Sequence, residues 1–334
     1  MSAHATIGTL TRPGGSFIGA ILLAVVLAAC TSTAPTARSA RAVPKAQQTK
    51  APIYLHRTGT VWGIHSTSRG SLTPNQVTAT LEQEIGGQFS GIRIYTNIGQ
   101  DLPTAGDQFA ARNGLLDYHG INSWTGARTC VSWADVAAGR EDAWFTRQAD
   151  AIRTWGYPIF LAFNHEPTVH NPHHPQCGTA AQYRAAFDHL VGLFAARGVH
   201  NVTWVWTLTA PTFDGSFEGP TAWEPAHFDV VGVDGYNRAK DWQRPEAIFG
   251  SAERFARSQG KPLLIGEIGC DERPGNPAAK ATWITEAARM IKAWGNVKAV
   301  LWSNTATARG DYWLDSSPQS LAAVKKAIHN PYFI

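Results

Sequence analysis

The sequence is poor in charge and contains few cysteines, and both shortages narrow the class of protein. Charged residues make up 16% of the 334 positions and hydrophobic residues 44%, which excludes an intrinsically disordered chain. The formal net charge is only +4 and the lysines and arginines are scattered, so nucleic acid is not an expected partner. We therefore expect one large globular domain that acts as a monomer.

The four cysteines include no C-x-x-C pair, which argues against a zinc knuckle and against a dithiol redox motif. Cys30 belongs to the N-terminal segment discussed next. Among the remaining three, Cys130 and Cys177 each lie near the loop end of a predicted strand. We expect these two to form a disulfide, which would leave Cys270 as a free thiol.

No apolar run is long enough to span a bilayer comfortably, and the most apolar stretch, at 17–30, has the character of an export signal. It follows Arg12 and ends in LAAC (27–30), which resembles the lipobox of bacterial lipoprotein signal peptides. Cys30 would then be the lipid-modified first residue of the mature protein. An ordinary cleaved signal peptide is the alternative, and both interpretations predict export.

Residues 31–57 are small, polar and proline-containing without a hydrophobic period, so we expect a flexible tether. The predicted organisation is a signal peptide at 1–30, a tether at 31–57 and a single domain at 58–334. With a lipid on Cys30 the protein would be anchored to the cell membrane and face outside. Without the lipid it would be secreted.

Beyond residue 57, short apolar runs rich in β-branched residues alternate with amphipathic stretches, which is typical of βα units around a parallel sheet. The predicted strands are VWGIH (61–65), GIRIYT (91–96), RTCVSW (128–133), PIFLAFN (158–164), VTWVWTL (202–208), DVVGVDGY (229–236), PLLIGEIG (262–269) and KAVLWSN (298–304). The predicted helices cover 74–85, 142–155, 180–197, 245–259, 278–294 and 318–328. Eight such units in about 275 residues predict a (β/α)8 TIM barrel.

A doubly wound open sheet is the competing fold, and it normally has a glycine-rich turn after its first strand. This chain has Gly63-Ile64-His65-Ser66 there and no G-x-G-x-x-G, so the barrel is favoured. The weakly periodic region 97–127 is predicted to be a long excursion on the active face.

Polar and aromatic residues stand at the carboxyl ends of the predicted strands, where the active sites of TIM barrels lie. These residues are Arg93, Tyr95, Trp133, Asn164, His165, Glu166, Trp206, Asp234, Tyr236, Glu267, Trp302 and Asn304. The chain also has 13 tryptophans, whose indole rings either fill a core or stack on sugar rings. Trp206 and Trp302 are candidates for stacking, and for Trp133 a core position is an equal alternative.

Glu166 and Glu267 occupy equivalent positions on strands four and seven. Two carboxylates about 5–5.5 Å apart suit a retaining glycosidase, in which one attacks the anomeric carbon and the other protonates the leaving oxygen and then activates water. Glu267 lies in the apolar run LLIGEIG, where a carboxylate without partners is costly. A functional role is therefore favoured over a structural salt bridge.

Three motifs resemble glycoside hydrolase family 26, which belongs to the barrel clan that carries its two glutamates on strands four and seven. They are Asn164-His165-Glu166, GVDGYN at 232–237 and Gly266-Glu267, and the similarity extends from about residue 60 to 328. The resemblance implies a catalytic (β/α)8 domain at 58–334 without a cofactor. It also implies a retaining endo-β-glycosidase, with β-1,4-mannan as the leading substrate.

The resemblance assigns the chemical roles residue by residue. Glu166 would be the acid/base and Glu267 the nucleophile. His165 would contact the sugar and help to set the proton affinity of Glu166, while Tyr236 would hydrogen-bond the nucleophile. Because an ionised nucleophile is required, Arg93 and the Tyr236 hydroxyl would lower the pKa of Glu267.

Further substrate-binding and supporting positions follow from the same resemblance. Arg93 and Trp302 look like the strand-two arginine and the strand-eight tryptophan platform of the clan. Asn164, Asp234 and Trp206 complete the supporting set, with Trp133 as an additional candidate.

Other functions remain as alternatives. His170, His173 and His174 follow Glu166, but no H-x-H on strand one and no aspartate at the end of strand eight complete a metal-dependent hydrolase barrel. We therefore expect no metal. A lipid-anchored carbohydrate-binding protein is less favoured because both glutamates are present, and a transglycosylase would use the same residues.

One segment of the sequence leaves the identity of the substrate undecided. Family mannanases follow their His-Glu pair with Met, Asn and Gly, whereas this chain continues with PTVHNP at 167–172. A β-glucan, a β-xylan or a cell-envelope glycan therefore stand beside mannan as candidate substrates.

Overall fold

The computed structural model describes residues 58–126, 129–169 and 176–334. The predicted signal peptide with Cys30, the tether, and the histidines His170, His173 and His174 lie outside these residues. Within the described part of the chain, no helix is both long enough and apolar enough to cross a membrane.

Eight parallel strands close into a barrel in which each strand pairs with the next one in sequence and the last pairs with the first. They are β1 (Val61–Ser66), β2 (Gly91–Asn97), β3 (Leu116–Asn122), β4 (Ile159–Phe163), β5 (Val202–Thr209), β6 (Val230–Asn237), β7 (Leu263–Cys270) and β8 (Val297–Asn304). A short hairpin of β9 (Ala306–Thr307) and β10 (Gly310–Asp311) follows. The predicted (β/α)8 barrel is confirmed.

Helices lie between and after the barrel strands. They are α1 (Pro74–Ile85), α2 (Ala105–Asn113), α3 (Trp133–Ala137), α4 (Asp142–Trp155), α5 (Ala180–Ala196), α6 (Ala210–Phe213), α7 (Pro220–Trp223), α8 (Pro245–Ser258), α9 (Ala279–Trp294) and α10 (Pro318–Ile328). The six predicted helices agree with α1, α4, α5, α8, α9 and α10 to within about one residue at each end. The prediction missed α2 and the three short helices.

Local signals in the sequence explain where the long helices begin and end. The Thr73 side chain accepts a hydrogen bond from the Gln76 backbone in a capping box, and Pro74 occupies the first turn of α1. Gly86 ends this helix with a φ of 64°, a left-handed conformation that favours glycine. A second capping box at Thr179 begins α5.

The prediction for the third strand was wrong. The strand β3 is Leu116–Asn122 and not 128–133, so the region 97–127 contains α2 and β3 and is not a long loop. Cys130, inside the predicted segment, forms only an isolated bridge with Trp124. Apolar patterning overlooked β3 because buried polar residues alternate along it.

A buried polar network explains these polar residues of β3. The ring Nδ1 of His119 lies 2.6 Å from Oδ1 of Asp107 on α2, and its Nε2 lies 2.8 Å from the Thr96 hydroxyl. Asp117 is also completely buried, and burial together with the charge of Asp107 raises its pKa well above the usual range. The hydrogen bond between Asp107 and His119 thus links α2 to the barrel.

Asp117→Asn is expected to stabilise the protein at neutral pH. The pKa of Asp117 is raised on folding, so the folded state binds a proton that the unfolded chain releases above the ordinary aspartate pKa of 3.8. Stability is therefore lost as pH rises from that value, and asparagine removes this loss. Urea unfolding should show a gain at about pH 7 that shrinks toward about pH 4. A urea midpoint of Asp117→Asn that is equal to or lower than that of the parent at about pH 7 would contradict this prediction.

The barrel strands separate two layers of core. Alternate side chains fill the interior of the barrel: Val61, Leu116, Tyr118, Phe160, Ala162, Val205, Val230, Leu264, Ala299 and Leu301. The intervening side chains pack in a larger cluster that includes apolar residues of the surrounding helices. Which layer a strand residue joins therefore depends on its position in the alternation.

The alternation breaks in β7, between Ile265 and Glu267. Val233 of β6 pairs with Ile265, but the next residue, Asp234, pairs with Glu267. Gly266 is thus an extra residue that forms a bulge. The bulge lets Glu267 face the mouth of the barrel beside Asp234, where strict alternation from Leu264 would turn it toward the helices.

Candidate functional site

Four side chains surround the carboxylate of Glu267 at the carboxyl end of the barrel. The hydroxyl of Tyr95 donates to Oε1 and the hydroxyl of Tyr236 donates to Oε2. Nη2 of Arg93 lies 3.5 Å and Nε2 of His165 lies 3.9 Å from Oε1. These contacts come from strands β2, β6 and the turn after β4, so the barrel itself assembles them.

The surroundings of Glu267 keep it ionised. Burial alone would raise its pKa, but the Arg93 charge, His165 and the hydroxyls of Tyr236 and Tyr95 outweigh burial and lower the pKa to about 2. A carboxylate with such a low pKa carries a full negative charge at ordinary pH. It is therefore available as a nucleophile.

Arg93 is fully buried beneath this carboxylate. Its Nη1 and Nη2 atoms lie 3.1 and 3.2 Å from the two carboxylate oxygens of Asp234. Its guanidinium carbon lies 4.8 Å from the ring centroid of Tyr95 and 4.4 Å from that of Tyr118. Burial raises the pKa of Asp234 to about 8 although Arg93 opposes this rise, so Glu267 is the more acidic of the two carboxyl groups.

The bulge residue Gly266 makes room for this arrangement. A Cβ atom at Gly266 would lie 2.2 Å from Nη1 of Arg93 and 2.6 Å from Oδ1 of Asp234. Both distances are far below van der Waals contact, so only glycine fits without displacing the buried ion pair.

Glu166 follows β4 in a constrained turn. The φ angles of Asn164 and Glu166 are 42° and 52°, in the left-handed region that non-glycine residues rarely adopt. Hydrogen bonds from the backbone N–H of Glu166 to the Thr207 carbonyl (3.0 Å) and from that of Asn164 to the Ile121 carbonyl (2.7 Å) hold this turn. Such strain is typical of functional sites.

The protonation of Glu166 is opposite to that of Glu267. Burial, followed by the negative charges of Glu267 and Asp234, raises the pKa of Glu166 well above its usual range. One carboxyl group at the barrel mouth thus holds its proton while the other is ionised. This separation of pKa values suits an acid and a nucleophile.

Two residues to which the prediction gave no role also belong to the site. Tyr95, a strand-end candidate two positions after Arg93 on the same face of β2, binds Glu267 directly. His65 of β1 bonds the Arg93 carbonyl through Nδ1 at 3.0 Å and packs edge-on against Tyr95. Burial lowers the pKa of His65, so its ring supports Tyr95 in the neutral form.

Tyr236→Phe and Tyr95→Phe are expected to move the acidic limb of the pH profile upward. Each change removes a hydrogen bond to the charged form of Glu267, so its pKa rises and more alkaline conditions are needed to ionise it. A hydrogen bond to a charged group is worth about 1.5–3 kcal/mol, or roughly 10- to 100-fold in kcat/KM. The basic limb, set by Glu166, should stay in place.

The measurement is kcat/KM against pH for both variants and for Tyr157→Phe as a control. The Tyr157 hydroxyl donates to the Leu115 carbonyl at the opposite end of the barrel (2.7 Å). If the acidic limb of kcat/KM lies at the same pH in all three variants and in the parent, the assignment of Glu267 as the ionised group is contradicted.

The tryptophans predicted to bind sugar lie elsewhere. Trp206 and Trp302 are completely buried, because their positions in β5 and β8 face the helices: Val205 and Leu301 next to them face the interior. Trp206 packs on aromatic residues of the outer layer, and the indole of Trp302 donates to the Tyr312 carbonyl (2.7 Å). The expectation that these residues form stacking platforms was wrong.

Trp133 is also completely buried, in α3, which agrees with the core alternative. Its indole N–H donates to the Ser123 hydroxyl (2.6 Å), and Ser123 in turn donates to Oδ1 of Asn164 (2.7 Å). Trp133 therefore supports the turn that carries Glu166 and does not itself line a cleft.

Cys130 and Cys177 form a disulfide, the pairing that the sequence favours, and Cys270 is a buried free thiol. The bridge closes a loop with a sequence separation of 47 that contains α3, α4 and β4. The Cys177 carbonyl also accepts a hydrogen bond from the Trp133 backbone (3.1 Å). The bridge and this hydrogen bond thus fix Cys177 next to α3.

Within the described residues, two groups each bring three potential metal-ligating side chains together. They are Asp107 with Asp117 and His119, and His165 with Asp234 and Glu267. In the second group the buried guanidinium of Arg93 already lies between the two carboxylates and would repel a cation. In the first group both ring nitrogens of His119 are already hydrogen-bonded.

No protein-family model matches the chain. In sequence it is 31% identical over 214 residues to Endoglucanase H of Acetivibrio thermocellus. The match covers 58% of this chain and 23% of that protein, so the chain spans about a quarter of the length of this relative.

Solved β-mannanase structures share the fold. A glycoside hydrolase family 26 β-mannanase from Bacteroides ovatus superposes with a TM-score of 0.56 at 13% identity, covering 84% of this chain and 91% of that one. A modular endo-β-1,4-mannanase from Cellulomonas fimi gives a TM-score of 0.58 at 16% identity, with 83% and 72% covered. The resemblance to glycoside hydrolase family 26 drawn from the motifs is therefore confirmed at the level of the fold.

Proposed function

We propose that the protein is a retaining endo-β-glycosidase that hydrolyses a β-linked polysaccharide. The observation that carries the proposal is the pair of glutamates at one barrel mouth with opposite pKa shifts. Glu267 is ionised and held by two tyrosines and Arg93, while Glu166 retains its proton. The similarity to an endoglucanase and to β-mannanases supports the same class of reaction.

In the first step, Glu267 attacks the anomeric carbon as the glycosidic C–O bond breaks, and Glu166 gives its proton to the leaving oxygen. The products are a glycosyl ester on Glu267 and a shortened glycan. In the second step, Glu166, now ionised, removes a proton from water as that water attacks the anomeric carbon. The ester bond breaks, Glu267 is released as carboxylate and the configuration is retained.

A double displacement requires the carboxylates to be close together, about 5–5.5 Å apart, whereas inversion needs about 6.5–9.5 Å. His165, the neighbour of Glu166 in the chain, lies 3.9 Å from Oε1 of Glu267. The charge of Glu267 also contributes to the raised pKa of Glu166. Both observations place the two carboxyl groups near each other, as the proposed double displacement requires.

The substrate class has two candidates. β-1,4-Mannan is the leading substrate by resemblance of the motifs and the fold to family 26 β-mannanases. A β-glucan is the second, because the sequence relative with 31% identity is named an endoglucanase. The sequence PTVHNP at 167–172, which follows Glu166, differs from the family pattern and is compatible with either substrate.

The test is a reducing-sugar assay of the purified full chain on mannan, mixed-linkage β-glucan, cellulose and xylan, with Glu267→Ala beside it. We expect rapid release of reducing ends from one of the first two, with mid-chain cleavage visible as an early fall in viscosity. Proton NMR of the first products should show the β-anomer, since retention keeps the configuration. An α-anomer would overturn the retaining mechanism, and inactivity on all four would overturn the proposal.

We also propose that the protein is exported and anchored through a lipid on Cys30. The lipobox-like sequence supports the anchor, and the Cys130–Cys177 disulfide is consistent with an oxidising compartment. Membrane fractionation of cells fed a labelled fatty acid tests this. Label should enter the parent chain and be lost from Cys30→Ala, and an equally labelled variant would contradict the anchor.

A further inference from the structure

Phe217 is the most exposed large hydrophobic side chain of the described residues, at 52%. It lies in the loop between α6 and α7, which follows β5 on the carboxyl side of the barrel. Trp206, Trp302 and Trp133, the residues expected to stack on sugar, are buried. An accessible aromatic ring on this side of the barrel is therefore notable.

The backbone at this loop is strained. The φ angles of Phe217 and Glu218 are 53° and 70°, both in the left-handed region. Residues other than glycine rarely adopt this conformation, because it brings Cβ close to the following carbonyl oxygen, and two such residues in succession are unusual. The indole N–H of Trp223 donates to the Phe217 carbonyl (3.1 Å), and the Gly219 N–H donates to the Ser216 carbonyl (3.0 Å). The protein thus maintains a strained turn that presents an apolar ring to solvent.

This turn is connected to the turn of the catalytic acid. Thr212 of α6 has its hydroxyl 3.2 Å from that of Thr168. The next residue, Val169, donates its N–H to the Glu166 carbonyl at 2.9 Å. The segment that presents Phe217 therefore packs beside the segment that presents the proton donor. The acid acts on the leaving oxygen, so this side of the site is where the leaving part of the glycan must pass.

We propose that Phe217 is a stacking platform that binds a sugar ring of the leaving part of a polysaccharide, away from the bond that is cleaved. The inference rests on the proposed glycosidase function and adds a subsite to it. The ligand is a hexopyranose with an apolar C–H face, which packs on an aromatic ring without needing a charged partner. The strained φ angles then serve to present the ring on this side of the barrel.

The test compares the full-length parent, Phe217→Ala and Phe217→Trp. Leu72→Ala serves as the matched control, because Leu72 is also an exposed large hydrophobic residue, at 37%, in the loop after β1. Each is assayed on the best polysaccharide and on an aryl oligosaccharide whose leaving group is too small to reach Phe217. Phe217→Ala should raise KM for the polysaccharide roughly 5- to 20-fold with little change in kcat, while the aryl substrate stays within about twofold. Phe217→Trp should keep the parent KM, and Leu72→Ala should match the parent on both substrates.

Two results would overturn the platform: an unchanged KM of Phe217→Ala for the polysaccharide, or an equal loss on both substrates, which indicates a structural role. Native gels containing each polysaccharide separate this inference from the proposed function. If the parent is inactive but is retarded and Phe217→Ala is not, the platform stands and the glycosidase proposal fails. Equal migration of the two proteins in every gel, with or without activity, rejects the platform.

Discussion

Replacement of Glu267 by alanine is expected to lower kcat by roughly four orders of magnitude or more, since it removes the atom that would bond to the anomeric carbon. Binding of the polysaccharide should persist, because the remaining contacts of the cleft are untouched. The measurement is the rate of reducing-end release together with affinity in a binding gel. A carbohydrate-binding protein without turnover, the main alternative, would show no catalytic loss to measure.

Small anions make this test more specific. Azide can occupy the space left by the carboxylate in Glu267→Ala and should give an α-glycosyl azide from an activated β-glycoside. In Glu166→Ala the nucleophile remains, so azide should attack the glycosyl ester and give the β-azide. The two opposite configurations follow from the two roles, and the same anomer from both variants would contradict the assignment.

Glu253→Gln is a suitable control for these losses. Its carboxylate is also buried, but it lies on α8 in the outer layer and pairs with Arg257 at 2.5 Å. Its kcat should stay near that of the parent. Unchanged release of reducing ends by Glu267→Ala would remove the basis of the proposed function.

Arg93→Met is expected to reduce the free energy of unfolding by about 3–5 kcal/mol, because it removes one partner of a buried ion pair. Asp234 and Glu267 then share the interior without a countercharge, and the pKa of Glu267 rises because its main stabilising charge is gone. Activity should therefore be lost first at low pH. Urea unfolding at several pH values measures the effect.

A surface pair provides the matched control. Arg197 binds Asp150 through two nitrogens at 3.1 and 2.6 Å, with 44% and 33% of the side chains exposed. Arg197→Met should leave the urea midpoint close to that of the parent, since solvent screens the pair. The double variant Arg93→Met/Asp234→Asn should be more stable than the sum of its single changes by at least about 1 kcal/mol. Equal losses for Arg93→Met and Arg197→Met would show that burial of the pair has no energetic consequence.

The parts of the fold that follow from local patterning could be predicted from the sequence. Seven of the eight barrel strands lie within or next to the apolar runs that predict them. Capping residues in the sequence mark where helices such as α1 begin and end. The strand β3 could not be found this way. Asp117 and His119 look like loop residues until α2 supplies Asp107, so their burial depends on a contact that sequence patterning does not show.

Some site residues could likewise be predicted from the sequence, and others only from the folded structure. Glu166 and Glu267 stand out because carboxyl groups are rare at the ends of buried strands, and the pair needs no tertiary information to be suspected. The prediction for Trp206 and Trp302 was wrong because alternate residues of a strand face opposite layers of the core. A list of strand-end residues does not take this alternation into account. The hydrogen bond of Tyr95 to Glu267 joins β2 to β7, and only the closed barrel brings these strands face to face.

The extra residue in β7 shows how the strand tolerates a change of length. If Gly266 were deleted, Ile265 and Glu267 would be consecutive and would still pair with Val233 and Asp234, so Glu267 would keep its face of the strand. The bulge therefore allows one residue to be added without turning the proposed nucleophile toward the helices. The orientation of Glu267 thus depends on how the backbone absorbs an inserted residue as well as on which residues the strand contains.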